Sequence, residues 1–81
     1  MSDNKSPIIV FSKNGCVQCD MTKRRLQARG LDFEVKMIDA TGDVGQANMA
    51  EFQTHGLRNM PVVVAGERKW AGFQPDQIAA L

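Results

Sequence analysis

The chain has no tyrosine, one tryptophan, one histidine and only two cysteines among 81 residues. It also lacks a long apolar run, since nothing in it approaches the roughly 18–20 residues that cross a bilayer as a helix. Residues 1–6 are mostly polar, and the apolar stretch from Ile8 to Phe11 is too short for the core of a signal peptide, so a cytoplasmic protein is expected. An excess of one charge is missing as well: ten basic and nine acidic residues leave a net charge of +1, which offers no general field to recruit nucleic acid or a membrane. Lys23, Arg24, Arg25 and Arg29 nonetheless lie close together, as a solvated helix face or as a docking patch for an acidic partner. Two cysteines three positions apart exclude the disulfide framework of a secreted mini-protein, because so short a loop saves little chain entropy. A structural zinc site normally needs four ligands, and His55 has no companion. Linkers, repeats and low-complexity segments are absent, so residues 1–81 read as one domain with 1–6 as a polar tail.

What is present is strongly patterned. Pro7 to Phe11 is a continuous, β-branched apolar run, suited to a central strand covered on both faces. Ser12 to Gly15 has turn chemistry. A helical pattern follows from Val17 to about Arg29, with Val17, Met21, Leu26 and Ala28 expected inward and Gly30 as the stop. Leu31 to Asp39 alternates apolar and charged residues through Met37, predicting a half-buried strand near a sheet edge and a parallel crossover. Asp43 and Gln46 resemble a capping box for a second helix ending near His55–Gly56, with Val44, Ala47, Ala50 and Phe52 on its buried side and Gly45 weakening its first turn. Pro61 to Ala65 is a second apolar strand, joined by a tight turn at Gly66-Glu67 to a short partner, Arg68 to Trp70. Pro75-Asp76 opens a terminal helical segment that must dock to persist. The predicted order is β-α-β-α-β-β-α.

Gly15-Cys16-Val17-Gln18-Cys19 falls where the first strand hands over to a helix. A cysteine at a helix N-terminus sits beside unpaired backbone N–H groups and the positive end of the macrodipole, both of which favour thiolate over thiol. Lys13 adds to this if its ammonium points inward. Cys16 is therefore the expected nucleophile, and Cys19, one turn on, the buried resolving thiol of a redox-active Cys16–Cys19 disulfide. Met60-Pro61 precedes the second apolar strand, with two readings: an ordinary strand-start proline, or a cis bond that presents the Met60 backbone beside the cysteines for pairing with an extended substrate segment.

With those residues in place, the chain from Ile8 to Ile78 resembles the glutaredoxin-like NrdH-redoxins. The marks are Cys16-Val17-Gln18-Cys19, Thr22-Lys23, Gly30 with Phe33, the run from Gly56 to Val63, and Trp70-Ala71-Gly72-Phe73-Gln74-Pro75-Asp76. The resemblance implies an α/β thioredoxin fold, a four-stranded mixed sheet flanked by three helices. It further implies a dithiol carrier reduced by NADPH through thioredoxin reductase; because two sulfurs can carry both electrons no bound cofactor is expected, and a monomer is the default expectation. The implied substrate is the disulfide of the class Ib ribonucleotide reductase large subunit. Lys13, Val17, Gln18, Met60, Pro61, Trp70 and Phe73 are the expected partner-binding residues. The chain departs from the family at Ala71 and Gln74, where serine and arginine are usual, and at Leu57, where tyrosine is common. The segment between Asp39 and Gly56 is a few residues longer than usual.

Two alternatives accompany this reading. A glutathione-dependent glutaredoxin would hold the tripeptide's carboxylate on the N-terminus of the last helix, where bulky Phe73 and the missing N–H of Pro75 make a poorer anion site. Trp70 and Phe73 also suit packing of that helix on the sheet. A zinc or iron–sulfur module is conceivable, with the Cys pairs of two protomers supplying four thiolates.

Overall fold

In the computed structural model, which describes residues 8–81, the first strand shows why one short chain needs helices on both sides of its sheet. Strand β1, Ile8–Ser12, points Ile8 and Val10 to one face and Phe11 to the other, and all three are buried. Such alternation leaves no wet face, so helices must cover both. Helices α1 (Val17–Ala28) and α3 (Pro75–Ala79) lie on the first face, where Ile8, Val10, Leu26, Val63, Trp70 and Ile78 form one core. Helix α2 (Gly42–Thr54) covers the second, where Phe11, Phe52 and Val62 form another. The Phe11 ring lies 5.9 Å from that of Phe52.

The remaining strands are β2 (Glu34–Met37), β3 (Val62–Ala65) and β4 (Arg68–Ala71), in the sheet order β2-β1-β3-β4. Strand β1 pairs parallel with β2 and antiparallel with β3, and β3 pairs antiparallel with β4. Element order and mixed sheet are those that the family resemblance implies. Among the described residues no helix is long and apolar enough to cross a membrane. The expected polar tail, 1–6, and Pro7 lie outside the described residues.

Several local expectations are corrected. Ser12 closes β1 as a fully buried residue instead of opening the loop. Strand β2 is four residues long, because Leu31 and Phe33 already turn into the first core before pairing begins. The buried stripe of α1 is Cys19, Thr22 and Leu26, whereas Val17 is 71% exposed, Met21 is 41% exposed and Ala28 is exposed. Thr22 can be buried because its hydroxyl donates to the Gln18 carbonyl at 2.9 Å, leaving no polar atom unsatisfied.

Helix α2 has no capping box: Thr41 occupies the cap without a side-chain bond, and Asp43 lies within the first turn. Its inner face is Gly45 and Phe52, with Met49 packed partly, while Val44, Ala47 and Ala50 face out. Gly45 is the reason. The helix starts so close to the preceding loop that any Cβ there would overlap the Ala40 carbonyl, so the glycine is required by the approach.

Arg29 ties the first face together. Its guanidinium donates to the carbonyls of Ile78 and Leu81, each at 2.7 Å, satisfying the C-terminal end of α3 from the end of α1.

Candidate redox site

Cys16 is the N-cap of α1, with extended backbone (φ −100°, ψ 105°), and its Sγ accepts a hydrogen bond from the Cys19 N–H at 3.1 Å. This is the position where the helix has N–H groups to spare, and here one of them points at sulfur. Cys16 and Cys19 are joined as a disulfide with a Cα–Cα distance of 5.2 Å, and no free cysteine remains. Cys19 is fully buried and Cys16 is partly exposed, so only the first sulfur can meet another molecule. The loop before Cys16 is held from the chain that follows the neighbouring strand β2, where the Asp39 carboxylate accepts the Asn14 N–H at 2.9 Å.

The Met60–Pro61 bond is cis, as the second reading of that dipeptide expected. Pro61 is buried and its carbonyl accepts the Gly72 N–H at 2.8 Å. Met60 is half-buried, and its backbone N–H and C=O take no hydrogen bond among the described residues. It lines a shallow depression of about 380 Å³ with Lys13, Cys16, Val17, Gln18 and Arg58. The fold thus gathers five of the expected partner-binding positions around Cys16: Lys13, Val17, Gln18, Met60 and, behind them, Pro61.

Trp70 is not among them. It is 4% exposed and packs in the first core. Phe73 lies between the two roles, packed partly on that core with the Arg25 guanidinium 5.7 Å above its ring. Its backbone is tied to the motif itself, because the Phe73 N–H donates to the Gln18 side-chain carbonyl at 3.0 Å. The preceding Gly72 has φ +82° and brings its Cα face against that same Gln18 oxygen, a conformation any other residue would enter with strain. Neither this bond nor the Asp39 contact has a local sequence signal, since the partners lie 55 and 25 residues apart. Among the described residues no group of three or more His, Cys, Asp or Glu side chains is arranged to hold a metal ion.

A capped, half-exposed cysteine bonded to a buried one at a strand-to-helix turn defines a thiol–disulfide oxidoreductase of the thioredoxin fold. The glutaredoxin family model matches residues 8–70. The glutaredoxin-like protein NrdH of Escherichia coli K12 is 42% identical over 74 residues, covering 91% of this chain and 86% of its own. The solved structure of Escherichia coli NrdH-redoxin aligns with a TM-score of 0.77 at 43% identity, covering 91% of this chain and 92% of that one. A glutaredoxin from Archaeoglobus fulgidus aligns with a TM-score of 0.81 at 26% identity, over 94% of this chain and 85% of that one. The chain belongs to the glutaredoxin family and, within it, to the NrdH-redoxins.

Proposed function

We propose that this protein is the dithiol electron carrier of a class Ib ribonucleotide reductase and is itself reduced by NADPH through thioredoxin reductase. In the reduced protein the Cys16 thiolate attacks one sulfur of the partner disulfide. A mixed disulfide forms and one partner thiolate leaves. The Cys19 thiolate then attacks the Cys16 sulfur, the second partner thiolate leaves, and the Cys16–Cys19 disulfide remains. Two electrons pass to the partner, and the departing thiolates take up protons from solvent. The Cys19 N–H that bonds Cys16 Sγ in the disulfide favours the thiolate in the dithiol form. The free N–H and C=O of Met60 stand ready to pair with an extended segment of the partner.

The observation that carries the choice of reductant is the bond between Gln18 and Phe73. A tripeptide carboxylate at the start of the last helix needs backbone N–H donors there. The Phe73 N–H is taken by Gln18, Pro75 has none to offer, and α3 is only five residues long. The Escherichia coli NrdH-redoxin, whose structure was solved to explain a thioredoxin-like activity profile, is a relative of the same design. The two sulfurs carry both electrons, so no bound cofactor is required, and the protein works as a cytoplasmic monomer. The test is to mix the reduced protein with the oxidised large subunit of a class Ib reductase and count the thiols that appear there. Stoichiometric transfer supports the assignment. Transfer no faster than from a small dithiol reductant contradicts it.

A further inference from the structure

The basic side chains divide into two groups. Among the described residues, Lys23, Arg29, Lys36, Arg68 and Lys69 are each within reach of an oxygen: Asp20 at 3.5 Å, the Ile78 and Leu81 carbonyls at 2.7 Å, Glu51 at 2.6 Å, Gln77, and the His55 carbonyl at 3.4 Å respectively. Lys13, Arg24, Arg25 and Arg58 have no oxygen partner among the described residues. Those four line two depressions: Lys13 and Arg58 flank Cys16, while Arg24 and Arg25 stand with Met21, Ala28 and Phe73 further along α1. No acidic residue lines either one. Asp20, the one acid of α1, is engaged by Lys23.

Gln18 lines the first depression and its side chain accepts from the Phe73 backbone of the second, so the two are linked through this residue. Val17, Met21, Arg24 or Arg25, and Ala28 follow the spacing of one helix face. That face exposes apolar surface which a purely structural helix would bury, with Val17 at 71% and Met21 at 41%. Exposed apolar side chains between unpaired cations, beginning at the reactive sulfur, form a surface complementary to a chain that is apolar and acidic.

We propose that this face of α1 docks an acidic, partly apolar peptide segment of the partner protein, the segment that carries the disulfide attacked by Cys16. Arg24 and Arg25 are eight and nine residues beyond Cys16, about 12–14 Å along the helix axis. An extended chain covers that distance in about four residues. The partner's carboxylates therefore stand about four residues from the attacked cysteine. The inference rests on the redox reading of Cys16 and is independent of which reductase recharges the protein.

The experiment uses the full-length protein reduced chemically, with no reductase present, and two synthetic disulfide peptides. One carries two glutamates about four residues from the attacked cysteine, and the other carries glutamines. The expected result is reduction of the acidic peptide about tenfold faster at low salt, the size of two exposed ion pairs, with the advantage fading as salt is raised. Replacement of Arg24 and Arg25 by Gln abolishes the ratio of the two rates. Lys69→Glu, the same change in net charge on β4, preserves it. Each ratio is taken within one variant, so a loss of folded protein cancels. Equal rates for the two peptides in the wild type overturn the proposal. So does a ratio that Lys69→Glu lowers as much as the double variant, because a general field would then be responsible. A stable dimer in sedimentation at assay concentration would assign this face to a second copy of the chain and also overturn it.

Discussion

The side-chain carbonyl of Gln18 accepts the backbone N–H of Phe73 at 3.0 Å, so the middle of the redox motif holds the loop that leads into the last helix. A backbone N–H that could meet a tripeptide carboxylate there is used internally. Gln18→Ala releases it. The variant is expected to lose about 0.5–1 kcal/mol of stability, the usual worth of one partly exposed hydrogen bond. It is also expected to gain glutathione-supported turnover by a few-fold, since only one N–H is restored. Chemical denaturation and a glutathione-coupled NADPH assay read the two effects separately.

Gly45 gives the sharpest contrast between a local and a tertiary view. Helix propensity alone predicts that Gly45→Ala stabilises by up to about 1 kcal/mol. The overlap of any Cβ with the Ala40 carbonyl predicts the opposite sign, a loss of about 1–3 kcal/mol, as backbone must shift to make room. The midpoint of urea unfolding decides between them.

That disagreement shows what could be read from the sequence and what could not. The strands from Ile8 and from Val62 were legible because runs of β-branched residues have few other uses. Cys16 and Cys19 were legible because their pairing is a matter of one helical turn. The inner face of α1 was misread, since hydrophobicity assigned Val17 and Met21 to the core and passed over Thr22, whose hydroxyl is satisfied within its own helix. Exposed apolar side chains on a helix carry the same spacing as buried ones. Arg29 looked like one more member of a basic cluster, yet it bonds residues 49 and 52 positions away, a distance over which sequence pattern gives no signal.

Arg29 supports a prediction of its own. Removing its guanidinium with Arg29→Met keeps most of the apolar stem but takes the donor from the Leu81 carbonyl and one of two from the Ile78 carbonyl, which keeps the Leu81 N–H at 3.1 Å. A loss of about 1–2 kcal/mol is expected from two charge-assisted bonds near the surface. Hydrogen exchange should accelerate in α3 more than in α2, because α3 is five residues long and depends on docking.

The cysteine roles separate cleanly by substitution. Cys19→Ser should accumulate a mixed disulfide through Cys16, visible by mass spectrometry, because the buried resolving thiol is gone. Cys16→Ser should form none and reduce partner disulfides only at the background rate. In the dithiol wild type, alkylation should fall on Cys16 rather than the fully buried Cys19. It should remain fast at pH values where an ordinary thiol, titrating near about 8.5, has lost its thiolate.

The identity of the electron source is tested most directly by reducing the purified disulfide form in two mixtures, NADPH with thioredoxin reductase, and NADPH with glutathione and glutathione reductase. The Gln18–Phe73 bond and Pro75 predict rapid NADPH loss in the first mixture and little in the second. Rapid loss only with glutathione would contradict the account and show that the start of α3 binds the tripeptide despite the donor it has spent.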